Sequence, residues 1–167
     1  MSYATANDLL VWYGARELAQ VAVPDDLTTA GPELMRLTIN DADRDTFTEE
    51  EISAADAGLA RINSALSDAE QLMNSYLALR YDIPLTGTLI QASALPRTCG
   101  AIARRLLHHA FVPEEVTMGY DMALLWLKEV AFGKAELDRD VTTTGAGSPA
   151  FETGERVFDQ ETLRGFV

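Results

Sequence analysis

The chain has 167 residues, 47% of them hydrophobic and 23% charged, which is enough for one domain with an apolar core. Its 26 acids against 13 bases give a formal charge of −13, arguing against a protein that coats nucleic acid or binds membranes through cations. A single cysteine, Cys99, excludes an internal disulfide framework; the opening MSYATANDLL lacks the basic and apolar regions of a signal peptide, and no uncharged run of about 18 apolar residues is present.

In chain order, Thr5 with Asp8 has the form of a helix cap. Leu9, Leu10, Trp12 and Tyr13 supply an apolar face, Gly14 a stop, and residues 15–21 a second short turn closed by Pro24. Residues 22–48 read as an irregular acidic insertion, interrupted by Pro24, Gly31 and Pro32. Leu34, Met35, Leu37 and Ile39 offer one short element there, and the segment is expected to pack loosely or to order against a partner. The strongest signal follows: Thr48 and Glu51 form a capping box, and Ile52, Ala55, Leu59, Ile62, Leu66, Ala69, Met73 and Tyr76 recur at spacings of three and four. The spacing predicts one helix over about 49–80, or two with a break near Gly58 or Ser67. Unbroken, it is roughly 48 Å long, the length of a bundle spine or of a subunit in a larger assembly.

Asp82-Ile83-Pro84-Leu85 stops that helix, and residues 86–94 read as a loop. Pro96 opens a helix to about Ala110 that buries Cys99, Ile102, Ala103 and Leu106 and shows Arg97, Arg104, Arg105 and His108 on its other face. Pro113 opens another, with Val116, Tyr120, Ala123, Leu124, Leu127 and Ala131 inward and Gly133 at its end. The expected fold is therefore all-α: a small helical bundle built on one long helix, with a helical domain over 1–134. Residues 135–154, around Thr142-Thr-Thr-Gly-Ala-Gly-Ser-Pro149, have the composition of a flexible linker, and 155–167 regain apolar residues as a C-terminal docking peptide. Composition leaves open whether that arm docks on a partner or folds back on its own domain.

Tests for chemistry point away from an enzyme. Asp41, Asp43 and Asp45 occupy the first, third and fifth positions of a calcium loop, but Thr46 stands where glycine is needed and Ile52 where a bidentate glutamate belongs. The adjacent His108 and His109 diverge by about 100° on a helix, and Cys99 is more than two turns from His108, so neither a metal site nor a Cys–His nucleophile is expected. No phosphate-cradling loop, nucleophile elbow or zinc pattern is present, and no cofactor is implied. What remains is segregated charge. Residues 95–111 carry three arginines and no acid, whereas 22–57 carry ten acids and two bases, a contrast that suits pairing between subunits or within one chain. The candidate partner-binding residues are Arg104 and Arg105 as interface charges, Trp126 as a contact aromatic off the main stripe of its helix, and Arg156, Phe158, Leu163 and Phe166 in the terminal peptide.

Several pieces, in order, resemble the Mu-like bacteriophage head–tail connector (adaptor) family. They are Tyr3-Ala4-Thr5 before a short helix with Leu9; Ala69 leading to Tyr76-Leu77-Ala78-Leu79-Arg80-Tyr81-Asp82-Ile83-Pro84-Leu85; Leu95-Pro96 with Ile102-Ala103-Arg104; Tyr120, Ala123, Trp126-Leu127, Val130-Ala131 and Gly133-Lys134; and the tip Arg156-Val157-Phe158 to Leu163-Arg164-Gly165-Phe166. Residues 22–48 depart from it, with Thr46 where the family often carries a glycine. The resemblance implies a structural virion protein of the neck region, present in the host cytoplasm before assembly, with no catalytic residues. It also implies a ring, commonly of twelve copies, beneath the portal protein, with a tail-completion or tail-terminator protein as the other partner and no membrane. Packaged DNA would slide through an acidic lumen without adsorbing. From the composition alone, the competing reading is an acidic helical regulator or DNA mimic that binds a host or phage protein.

Overall fold

The computed structural model describes residues 2–24, 26–109 and 111–137. Among them are six helices, α1 (Ala6–Ala22), α2 (Pro32–Ile39), α3 (Glu49–Leu77), α4 (Gly87–Ala92), α5 (Leu95–Leu107) and α6 (Glu114–Ala131), and no strand. The all-α class is as the sequence patterning predicts.

The spine α3 runs unbroken for 29 residues and touches α1, α2, α5 and α6. Its start is fixed by a reciprocal cap: the Glu51 N–H donates to Thr48 Oγ1 at 3.3 Å, and the Thr48 N–H donates to Glu51 Oε2 at 3.0 Å. Glu49, Glu50 and Glu51 stand at the positive end of the helix dipole. The buried stripe contains five small residues, Ala54, Ala55, Gly58, Ala65 and Ala69, alongside Ile62, Leu66, Met73 and Leu77. Small side chains let neighbouring helices approach closely, so Gly58 is a contact point and not a break. A Cβ there would lie 2.8 Å from Met35 Cε and 3.2 Å from Val23 Cγ2. The helix ends at Leu77, earlier than residue 80, where the Tyr81 N–H returns to the Leu77 carbonyl at 2.8 Å.

Three expectations change. Residues 22–48 are not simply irregular, nor loosely packed. Pro32 sets the first turn of α2, and Leu34 and Met35 are fully buried against α1 and α3, because an eight-residue helix with adjacent large apolar residues has a face to bury. The acidic character stays at its edges, where Asp26, Asp41, Asp43 and Asp45 are exposed. Arg44 ties the second edge down, 2.5 Å from Asp56 Oδ1 and 3.3 Å from Thr38 Oγ1. Residues 86–94 contain α4, capped by Thr86 Oγ1 and anchored by buried Ile90. The helix α5 ends at Leu107 and not near Ala110, and Leu107 faces the core where Leu106 was expected. Leu95, Cys99, Ala103 and Leu107 form an inward row spaced by four, which leaves Leu106 at the margin.

The opening helix combines the two expected turns. Gly14 adopts φ 81°, a conformation that costs glycine little, and the helix resumes after it. The bend sends Trp12 onto α5, where its ring covers Gly100. At the other end the chain returns to α3 after α6. The Leu137 N–H donates to the Tyr81 hydroxyl at 3.3 Å, Arg80 donates to the Ala135 carbonyl at 3.1 Å, and Leu137 is buried. Packing therefore continues through residue 137. Residues 138–154 of the expected linker and all of 155–167 lie outside the described residues.

Candidate interaction surfaces

Arg104, on the outward side of α5, is engaged within its own chain. Its Nε lies 2.5 Å from Glu17 Oε1 and its Nη2 2.8 Å from Glu17 Oε2, a two-pronged pairing of guanidinium and carboxylate. The same Nη2 is 3.1 Å from Glu115 Oε1 in the first turn of α6. The guanidinium also stacks over the Tyr13 ring, 4.6 Å from its centroid. The hydrogen bond to Glu17 is the main cause that raises the Arg104 pKa. The Tyr13 hydroxyl is likewise pushed up by burial, with Arg104 and Arg97 opposing the shift. Arg104 thus joins α1, α5 and α6 within the chain, through acids that lie outside the acidic segment 22–57. Its partner Glu17 is 87 residues away in sequence, and no local pattern marks it.

The neighbouring bases have different surroundings. Arg97 lies over Trp12, 4.4 Å from the ring centroid. Arg105 is half-buried and donates to the His108 carbonyl at 3.4 Å. His108 caps α5; its Nδ1 is 3.2 Å from the Phe111 carbonyl, and its buried Nε2 lies 3.8 Å from Glu17 Oε1 with no hydrogen-bond partner among the described residues. His109 is exposed. These two histidines edge a shallow groove of about 180 Å³ shared with Gln20, Arg61 and Phe111. Cys99 is remote from it, buried in the core, and burial raises its thiol pKa to about 12, which makes it a poor nucleophile. Among the described residues, no three His, Cys, Asp or Glu side chains are grouped to hold a metal ion.

The surface that sequence reading missed lies on α6. Val116, Ala123, Leu127 and Val130 point into the core, as their spacing requires. Met118, Met122, Leu125 and Phe132 form a second apolar row on the opposite side, 58%, 69%, 59% and 75% exposed. Their offsets of four, seven and fourteen residues are those of one helix face. Glu129 fills the vacant turn of that row and pairs with Lys134 at 3.4 Å. Trp126 flanks the row, half-buried against the core, so it belongs partly to packing and partly to this surface. The other candidate contact residues, Arg156, Phe158, Leu163 and Phe166, lie outside the described residues.

This helical frame coincides with a known family over most of its length. The family model described as "Bacteriophage Mu, Gp36" matches residues 3–153. The chain belongs to the bacteriophage Mu Gp36 family. Among its relatives, the Mu-like prophage FluMu protein gp36 of Haemophilus influenzae is 31% identical over 111 residues, covering 65% of this chain and 77% of the relative. Gene product J of Escherichia phage Mu is 28% identical over 152 residues, 91% of this chain and 86% of that protein. The Gp36 match includes all six helices and the α6 surface, and it makes this a Mu-like phage protein.

Proposed function

We propose that this Gp36-family protein is a structural subunit of the phage particle: a head-to-tail connector that assembles as a ring beneath the portal and joins it to a tail-completion or tail-terminator protein. The observation that carries the reading is the double-faced α6. One apolar face completes the core, and the other stands open on the frame of a long-helix bundle, with the composition of a surface meant for another protein. A closed ring needs two different complementary patches on each subunit; the α6 row supplies an apolar one, while Arg105 and the exposed acids at the edges of α2 supply charged candidates. Arg104 is already satisfied by Glu17, which removes it from the proposed ring contact. A formal charge of −13 suits a passage in which DNA moves without adhering. No catalytic step forms part of this role.

Electron microscopy of particles carrying a tagged copy tests the proposal, together with phage in which the gene is interrupted. The expected result is tag density at the neck in the first case and separate filled heads and free tails in the second. Joined, infectious particles that lack the protein refute it. A protein absent from particles but bound to a DNA-binding protein in infected cells selects the regulator reading instead.

A further inference from the structure

The exposed row on α6 lies immediately before the terminal part of the chain. The described residues leave α6 at Phe132 and close against Tyr81 at Leu137. Residues 138–154 follow, and then the segment 155–167 with Val157, Phe158, Leu163 and Phe166. Along the helix, Met118 to Phe132 spans about 21 Å at about 1.5 Å per residue. By its Gly, Ser and Thr content, a connection of roughly 17 residues has a root-mean-square reach of about 23 Å and a limit of about 56 Å. The reach matches the span. An apolar segment tethered at that distance meets the face at an effective concentration in the millimolar range, far above that of a second copy at micromolar concentration.

We propose that in the free subunit residues 155–167 dock on the outward face of α6 of their own chain, over Met118, Met122 and Leu125. The terminal segment thereby shields that face until another subunit competes for it. Only the competition step rests on the connector reading; docking in the free subunit does not.

Disulfide trapping in the full-length chain tests it. The double variant Met122→Cys/Phe158→Cys, oxidised at micromolar concentration, is expected to yield mainly a monomer with an internal cross-link. The control Val11→Cys/Phe158→Cys, which places the first thiol on a 73% exposed position of α1, is expected to yield at least tenfold less. Binding of an apolar dye such as anilinonaphthalene sulfonate to the triple variant Phe158→Ser/Leu163→Ser/Phe166→Ser should rise several-fold over the unaltered chain, with helical circular dichroism unchanged. Cross-links formed only between chains, equal yields from the two pairs, or unchanged dye binding overturn the proposal. Failure there leaves particle microscopy unaffected, so the two readings fail separately.

Discussion

Substituting alanine for three helical glycines should produce three different outcomes from one chemical change. Within a helix, Gly→Ala gains about 1 kcal/mol from backbone entropy alone. At Gly119 on α6 nothing lies within 4 Å of the added Cβ, so most of that gain should appear as added stability. At Gly58 the Cβ would meet Met35 Cε at 2.8 Å, the free end of a pliable side chain, with Val23 behind it at 3.2 Å. There the gain and the repacking cost should nearly cancel. At Gly100 the Cβ would meet two ring carbons of Trp12, Cζ3 at 2.5 Å and Cε3 at 2.7 Å, roughly 1 Å inside van der Waals contact. A rigid ring cannot bend away. It must leave its seat under Arg97 and its edge contact with Tyr13, at a ring-centroid distance of 6.4 Å. Overpacking of this kind costs about 1–3 kcal/mol, and the cation–π contact adds about 0.5–1 kcal/mol. After the helix gain, Gly100→Ala should destabilise by about 1–2 kcal/mol and lower Tm by about 2–8 °C. Urea denaturation followed by circular dichroism and by tryptophan fluorescence reads both the free energy and the displaced ring. If Gly100→Ala proved as stabilising as Gly119→Ala, the proposed seating of Trp12 on α5 would be refuted.

Other expectations concern the charge links and caps. Glu17→Gln, which leaves Arg104 with Glu115 as its one carboxylate partner, should cost about 1–2 kcal/mol in denaturant titration after allowance for partial exposure, whereas Glu33→Gln, in a pair whose side chains are 54% and 60% exposed, should leave the midpoint unchanged. Equal effects would deny the Arg104 link its structural role. Thr48→Ala should lose about 1 kcal/mol through the cap of α3, and Thr48→Asn should recover most of it, both readable from thermal melts. Stability should also fall with alkali. Burial raises both Cys99 and Tyr3 to about 12 in the fold, from ordinary values of 9.0 and 10.0. Their contribution is present below about pH 9 and is lost between about pH 9 and pH 12, because the unfolded chain releases these protons first. Comparing urea midpoints at pH 8 and pH 11 tests this, and Cys99→Ala together with Tyr3→Phe should flatten the dependence; an equally steep decline in that variant would assign it to other groups.

Much of the fold is legible in the chain because helical signals are local. A hydroxyl three residues from a carboxylate marks the starts of α1 and α3, and the periodic stripe 52–76 marks a spine that the structure shows unbroken. Pro96 marks a first turn for the same local reason, since its fixed φ suits a helix start, whereas Pro32, which reads in the sequence as an interruption, opens α2 in the same way. Small elements were less legible. In α2, turn-forming residues on both sides masked a short apolar face, and only the space beside Gly58 and α1 gives Leu34 and Met35 somewhere to go.

The surfaces depended on more than local pattern. Arginine at 104 reads equally well as a contact for another subunit or for its own chain, and the choice rests on Glu17, brought near by the bend at Gly14. Similarly, spacing marks Val116, Ala123 and Leu127 as an inward face of α6, but it does not show that the second apolar row is left uncovered. Its packing on α3 and α5 decided that, burying Val116, Ala123, Leu127 and Val130 and leaving Met118, Met122, Leu125 and Phe132 outside. Caps and stripes involve residues within one or two turns of each other, so the chain by itself encodes them. Pairing across 87 residues and the choice between two apolar faces depend on which helices meet, and only the tertiary structure fixes that.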